Sequence, residues 1–263
     1  MKYTVAVNSL ENLGFNVVCG EGYKNGIQYR NISVGSGCVK ACIWEYQIES
    51  IESVEELELI VKNGVKNAPN FDNVADLINS AEYVKANVIT CIRPISKDTE
   101  ALSFTTQYDG IEEYFRINLS GYDHGQASVI VKRDMFPNSN YTIDELKKWA
   151  RENTERSIRI QHMSEVFAEM GVPMPVSEPM YVMSNANRLH GASAILCKDV
   201  LKTFCIEHGF NEITIIPSSV HEVILLPKSD EPSELANMIK EVNETQVDIT
   251  ERLSNRPYSY SIG

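Results

Sequence analysis

Residues Pro217 to Pro227 read P-S-S-V-H-E-V-I-L-L-P, a Pro-Ser-Ser turn running into an apolar stretch that a second proline closes. With the apolar residues just before it, this predicts two strands, Ile213–Ile216 and Val220–Leu226, joined about the turn. Further out, Met180–Ser184 reads as a strand, Leu189–Cys197 as a small-residue helix, and Asp199–His208 as a helix capped by Gly209. Asp230 and Pro232 open a last helix, Ser233–Thr245, with proline in its first turn. The order β-α-β-β-α predicts an α+β layer, with helices on one face of an antiparallel sheet. The tail, Arg252–Gly263, is polar and reads as extended.

Upstream, Tyr3–Leu13 is amphipathic, and two strand-like runs meet at Lys24-Asn25-Gly26, a strong hairpin signal. Cys38–Tyr46 supplies a third strand. Ser53 and Glu56 form a capping box for a helix with Leu57, Ile60 and Val61 inward and Gly64 at its end. From Asp72 the pattern is helical again. Strands follow at Val88–Arg93, Glu113–Leu119 and Ala127–Lys132, with a turn-rich piece, Lys97–Gly110, among them. Thr142 and Glu145 make a second capping box. Three prolines in Met170–Pro179 preclude regular structure. The expected division is therefore an N-terminal α+β region, 1–170, and a C-terminal domain, 180–263.

The length of 263 residues fits about two domains. A content of 43% hydrophobic and 23% charged residues places the chain among ordinary soluble globular proteins. No run approaches the ~18 apolar residues of a membrane span, and the N-terminus lacks a signal-peptide h-region. Cys19, Cys38, Cys42, Cys91, Cys197 and Cys205 are scattered among apolar neighbours, so buried reduced thiols in a cytoplasmic protein are expected. No Cys or His spacing completes a zinc site, and no cofactor motif is present. The net charge of −12 argues against gripping a nucleic-acid backbone. The basic residues Lys147, Lys148, Arg151, Arg156 and Arg159 alternate with acidic ones, as on a solvated helix face. Phosphate-loop, dinucleotide, nucleophile-elbow and zincin motifs are all missing.

Two turns carry the candidate binding residues. In the first, Ser218, Ser219, His221 and Glu222 surround the strand start. Alternation sends His221 and Glu222 to opposite faces and puts Ser219 and His221 on one. That pair is either a nucleophile with its base or a histidine satisfying the turn's own backbone. In the second, Asn185, Arg188 and His190 lie on a strand-to-helix connection, a common place for ligands. The His190-Gly191-Ala192-Ser193 start can hold an anion, yet a tight turn needs the same residue types. Asn243, in the run Asn243-Glu244-Thr245-Gln246, either pins the tail or faces a partner. No residue is assigned a catalytic role.

The runs Met180–Asn185, Gly191-Ala192-Ser193, Ile216–Pro227 and Val242–Val247 resemble an uncharacterised domain-of-unknown-function family of anaerobic Gram-positive bacteria, their phages and mobile elements. The likeness continues collinearly through Lys24-Asn25-Gly26, Asp144-Glu145-Leu146 and Glu152-Asn153-Thr154, where Glu155 departs from a common proline. It implies a bacterial or phage cytosolic protein and assigns no catalytic residue. The expectation is a non-enzymatic, acidic protein-binding factor with a basic-surfaced partner, of accessory or anti-defence kind, CRISPR inhibition included. The alternatives are an enzyme or small-ligand binder using the 185–193 and 218–222 turns, and a mimic of nucleic acid whose carboxylates are spaced like phosphates.

Overall fold

The computed structural model describes residues 1–35, 40–66, 74–119, 127–172, 178–217, 219–229 and 231–262. Helix α1 (Tyr3–Asn12) buries Ala6 and Leu10. Strands β1 (Val17–Lys24) and β2 (Ile27–Val34) form the expected hairpin, with Lys24 paired to Ile27. Its loop residues Asn25 and Gly26 have φ of 48° and 81°. A two-residue loop of type I′ needs both in this left-handed region, and its twist matches that of the strands. Strand β3 (Ala41–Trp44) joins β2, but it is shorter than expected because Glu45 already begins helix α2 (Glu45–Glu49). Residues 38 and 39 of the anticipated strand, Cys38 included, lie outside the described residues.

Helix α3 (Val54–Lys66) follows Ser53, whose hydroxyl accepts from the Glu56 N–H at 3.1 Å. The Glu56 carboxylate returns to the Glu52 N–H (2.9 Å). The helix runs through Gly64, the expected stop. A Cβ there would meet the Ala41 Cβ at 3.0 Å, so this glycine permits close packing on β3 rather than ending the helix. Ile32, Val34, Ile43, Ile48, Leu57 and Val61 fill the core of this part with α1.

The helical stretch after Asp72 is broken in two, α4 (Val74–Asn79) and α5 (Ala81–Asn87), because Ser80 caps the second by accepting from the Tyr83 N–H. Strands β4 (Val88–Pro94), β5 (Ser103–Thr105), β6 (Ile111–Leu119) and β7 (Ala127–Ile130) form an antiparallel sheet around β6. β5 falls inside Lys97–Gly110, the piece expected to be turn-rich. Helix α6 (Ile143–Ser157) has its reciprocal capping box, Thr142 Oγ1 accepting from Glu145 and the Glu145 carboxylate from Thr142. Its basic face is only partly solvated: Arg151 reaches the buried Glu113 carboxylate at 3.0 Å, and Lys147 lies at 3.6 Å.

Two further elements went unforeseen, β8 (Ile158–His162) and α7 (Met163–Glu169). Then come β9 (Tyr181–Asn185), a 3-10 turn at Gly191–Leu196 in place of the expected helix, and α8 (Lys198–His208), closed by Gly209 at φ 70°. Strands β10 (Glu212–Ile216) and β11 (Val223–Pro227), helix α9 (Pro232–Gln246) and β12 (Tyr258–Ser261) complete the chain. The five strands order as β12-β10-β11-β9-β8, all antiparallel, and the polar tail is an edge strand. Helices cover both faces of this sheet, not one. Met183, Ile213, Ile215, Val223 and Leu225 pack with Leu201 and Phe204 of α8, whereas Ile216, Ile224 and Leu226 meet Leu235 and Ile239 of α9.

The fold is α+β. The chain divides near residue 77, with Met1–Leu77 in one compact unit and Ile78–Leu119 with Ser128 onward in the other. The division expected at Met170–Pro179 falls inside a sheet. β8 and β9 flank that stretch and pair from Ile158↔Asn185 to His162↔Tyr181, and residues 173–177 lie outside the described residues. Of the thiols, Cys91, Cys197 and Cys205 are buried as expected, but Cys19 and Cys42, on the edge strands β1 and β3, are exposed. No helix among the described residues is long and apolar enough to cross a membrane.

Candidate functional site

Around the end of β9 the motif residues are brought together, and most of their polar groups are committed to backbone. Asn185 Oδ1 accepts from the N–H groups of Asn187 (3.1 Å) and Leu189 (3.2 Å), and its amide donates to the Leu189 carbonyl (2.7 Å). Asn185 thereby shapes the turn in which Arg188 and His190 take left-handed φ of 51° and 57°. Arg188 turns outward to an ion pair with Glu169. Ser184 Oγ donates to the His221 carbonyl at 2.7 Å, and the His190 N–H donates to His221 Nδ1 at 3.1 Å. Gly191 sits in this crossing. A Cβ there would lie 2.3 Å from Ser184 Oγ, 2.5 Å from the Asn185 nitrogen and 2.7 Å from the His221 oxygen.

Strand β11 starts at Val223, so His221 and Glu222 lie in the turn before it, not in the strand. The alternating-face argument therefore does not hold for them. The Ser219 hydroxyl accepts from the His221 backbone N–H (3.0 Å), and among the described residues it makes no hydrogen bond to an imidazole nitrogen, so the nucleophile–base alternative is not formed. Glu222 contributes its carbonyl to the Ser219 N–H (3.3 Å). Ser218 lies outside the described residues. Because Nδ1 of His221 accepts an N–H, the neutral ring carries its proton on Nε2. That nitrogen is 3.5 Å from the Glu251 carboxylate, an acid 30 positions along that sequence spacing did not bring near. The two histidine rings are 5.6 Å apart. Burial, with the charges of Arg116 and His221, pushes the His190 ring down to about 3, and its Nδ1 has no partner among the described residues. Asn243, buried on α9, donates to the Ser254 carbonyl (3.0 Å) and Asn255 Oδ1 (2.8 Å) and so pins the tail.

A second site went unread in the sequence. Strand β8 edges the five-stranded sheet; Ile160 and His162 share one face, and Tyr181 stands opposite His162. Helix α8 carries Asp199, Thr203 and Glu207 in one i,i+4 row and Val200, Phe204 and His208 in the next. With Glu155 of α6 and Glu165 of α7, these residues line an open cleft of about 440 Å³. Tyr181 is its aromatic centre, with the rings of His162, Phe204 and His208 tilted edge-on around it at 5.3, 5.0 and 4.7 Å. His208 Nδ1 donates to the Phe204 carbonyl (2.9 Å), leaving Nε2 as an acceptor. His162 Nδ1 accepts from the Ser164 N–H (3.3 Å), which puts the neutral ring's proton on Nε2 toward the Glu178 carbonyl (3.2 Å).

The four carboxylates, Glu155, Glu165, Asp199 and Glu207, are exposed, and no lysine or arginine shares the lining. Among the described residues none of them has an ion pair, whereas nearby Glu152 and Glu169 pair with Lys148 and Arg188. No three His, Cys, Asp or Glu side chains among the described residues are placed to hold a metal ion. The signal in the sequence was the double row on α8; what it faces depends on β8, which had no clear signal.

The fold and these two places define an α+β protein with a polar, backbone-locked turn and an acidic, aromatic-lined cleft. The chain belongs to DUF5688, a family of unknown function whose model matches residues 41–262. No curated protein and no solved structure matches it.

Proposed function

We propose that this chain is a non-enzymatic, acidic binding factor for a protein with a basic surface, of bacterial or mobile-element origin, acting as an accessory or anti-defence protein. The observation that carries the reading is the convergence of four unpaired carboxylates on one open cleft in a chain of net charge −12. Fixed negative charge of this kind steers a basic partner and weakens as salt screens it. The motif residues support the same side of the choice, since Asn185, Ser184, Ser219 and His221 spend hydrogen bonds on neighbouring backbone. The bacterial and mobile-element setting rests on the resemblance of the 180–247 runs.

A pull-down with the tagged full chain, at about 50 and 500 mM salt, tests the reading by mass spectrometry. The expected result is a stoichiometric protein with a basic surface that is released at high salt. A partner retained at high salt, or no partner, refutes it. One observation favours a second reading, a small-ligand binder or enzyme at the paired turns: His190 and His221 are adjacent, with Glu251 at 3.5 Å from the free face of His221. Co-purification of a small molecule, lost in His221→Gln, identifies that case.

A further inference from the structure

We infer that the α8–β8 cleft receives one cationic side chain, lysine or arginine, of the basic partner; this rests on the reading above and names where recognition occurs. Three features select that chemistry. The carboxylates come from three helices, Glu155 on α6, Glu165 on α7, and Asp199 and Glu207 on α8, so acidic side chains line the cleft from more than one element. The interior is a cluster of rings centred on Tyr181, and aromatic faces attract ammonium and guanidinium groups. The volume of about 440 Å³ lies at the low end for small-ligand pockets, which suits a side chain and not a folded element.

Other occupants fit less well. A metal ion would need three ligands close together, and the carboxylates do not gather that way. An anion or nucleic-acid backbone meets four like charges. An uncharged apolar molecule would use the rings but would have to strip water from the carboxylates without replacing it.

The test is titration of a fluorescein-labelled Gly/Lys nonapeptide carrying three lysines, at about 50 mM salt, with the full chain. Two variants remove equal charge: Glu165→Gln/Asp199→Asn/Glu207→Gln in the cleft, and Glu231→Gln/Glu234→Gln/Glu241→Gln at the start and on the exposed face of α9. All six positions are exposed, so both should fold, and the melting temperature verifies it. The cleft variant is expected to bind about tenfold more weakly, from three partly screened charge contacts, and the α9 variant within about twofold of wild type. The same peptide with glutamine for lysine should not bind. Equal weakening by both variants overturns the inference, as does absence of peptide binding. Spermidine binding more tightly than the peptide and displacing it also overturns it, by making the cleft a site for free amines. If the cleft variant still captures a basic partner salt-sensitively in the pull-down, the inference fails while the binding-factor reading stands.

Discussion

Replacing Gly191 by alanine should be among the most damaging single-methyl changes this protein can suffer. The added Cβ would sit at 2.3, 2.5 and 2.7 Å from Ser184 Oγ, the Asn185 nitrogen and the His221 oxygen, two of them backbone atoms. Ordinary contact needs about 1 Å more, so the end of β9 and the 219–222 turn must separate. That separation breaks the 2.7 Å, part-buried bond from the buried Ser184 hydroxyl to the His221 carbonyl. Overpacking of this kind costs ~1–3 kcal/mol, and stranding the hydrogen-bond partners ~1–3 kcal/mol more. A total of about 3 kcal/mol, with a urea slope of ~2 kcal/mol/M, moves the midpoint down by ~1.5 M. The two tryptophans, Trp44 and Trp149, fall one in each compact unit. Urea melts in a Trp44→Phe background therefore report the larger unit through Trp149. Gly110→Ala is the control: nothing lies within 4 Å, and at φ 81° it costs only the left-handed backbone penalty, ~1 kcal/mol. A Gly191→Ala midpoint within 0.3 M of that control, a spacing of ~0.6 kcal/mol on the same slope, would refute the steric reading of this crossing.

Two further outcomes follow from buried charge. The fold holds the His190 ring neutral at about 3, while the unfolded ring binds a proton near 6.5, so stability is lost as pH falls below 6.5. By pH 4.5 this amounts to ~2–3 kcal/mol; His190→Asn, which tolerates the left-handed backbone, should lose that much less between pH 7 and 4.5, and parallel pH profiles would count against it. Arg93, 2% exposed, bonds Glu112 at 2.7 Å and Asp98 at 3.2 Å. Arg93→Met should cost ~3–5 kcal/mol by leaving Glu112 buried and unpaired, and adding Glu112→Met should recover most of it; chemical melts showing the double variant no more stable than the single contradict this.

What was legible in the sequence was chemistry acting over three or four residues. Asn25-Gly26 has a φ requirement that names its turn, Thr142 and Glu145 satisfy each other's backbone, and Gly209 closes α8. Gly64 shows the limit of such reading, because a glycine near a helix end serves a C-cap or a close approach equally, and only Ala41 in space decides. Strand β8 has two inward apolar residues, Ile158 and Ile160, directly after a helix, with no turn signal between. Its partner begins at Tyr181, so nothing local announces the pairing. Without β8 the domain boundary shifts to the proline-rich stretch, and the row Asp199, Thr203 and Glu207 faces nothing.

The same physics explains why the conspicuous motif and the cleft divide as they do. A side chain that bonds backbone a few residues away needs a particular residue type at a particular spacing, as Asn185 does for Leu189 and Ser219 for His221. Such requirements write a recognisable string, and they also use up the groups that write it. Glu155, Glu165, Asp199 and Glu207 have no ion pair among the described residues, and along the sequence only the Asp199–Thr203–Glu207 spacing on α8 groups any of them, so they read as solvated surface. They converge only because α6, α7 and α8 are assembled around β8 and β9. Convergence of that kind is therefore the least visible along the chain, while the two turns that stand out in it are written by their own hydrogen bonds to backbone.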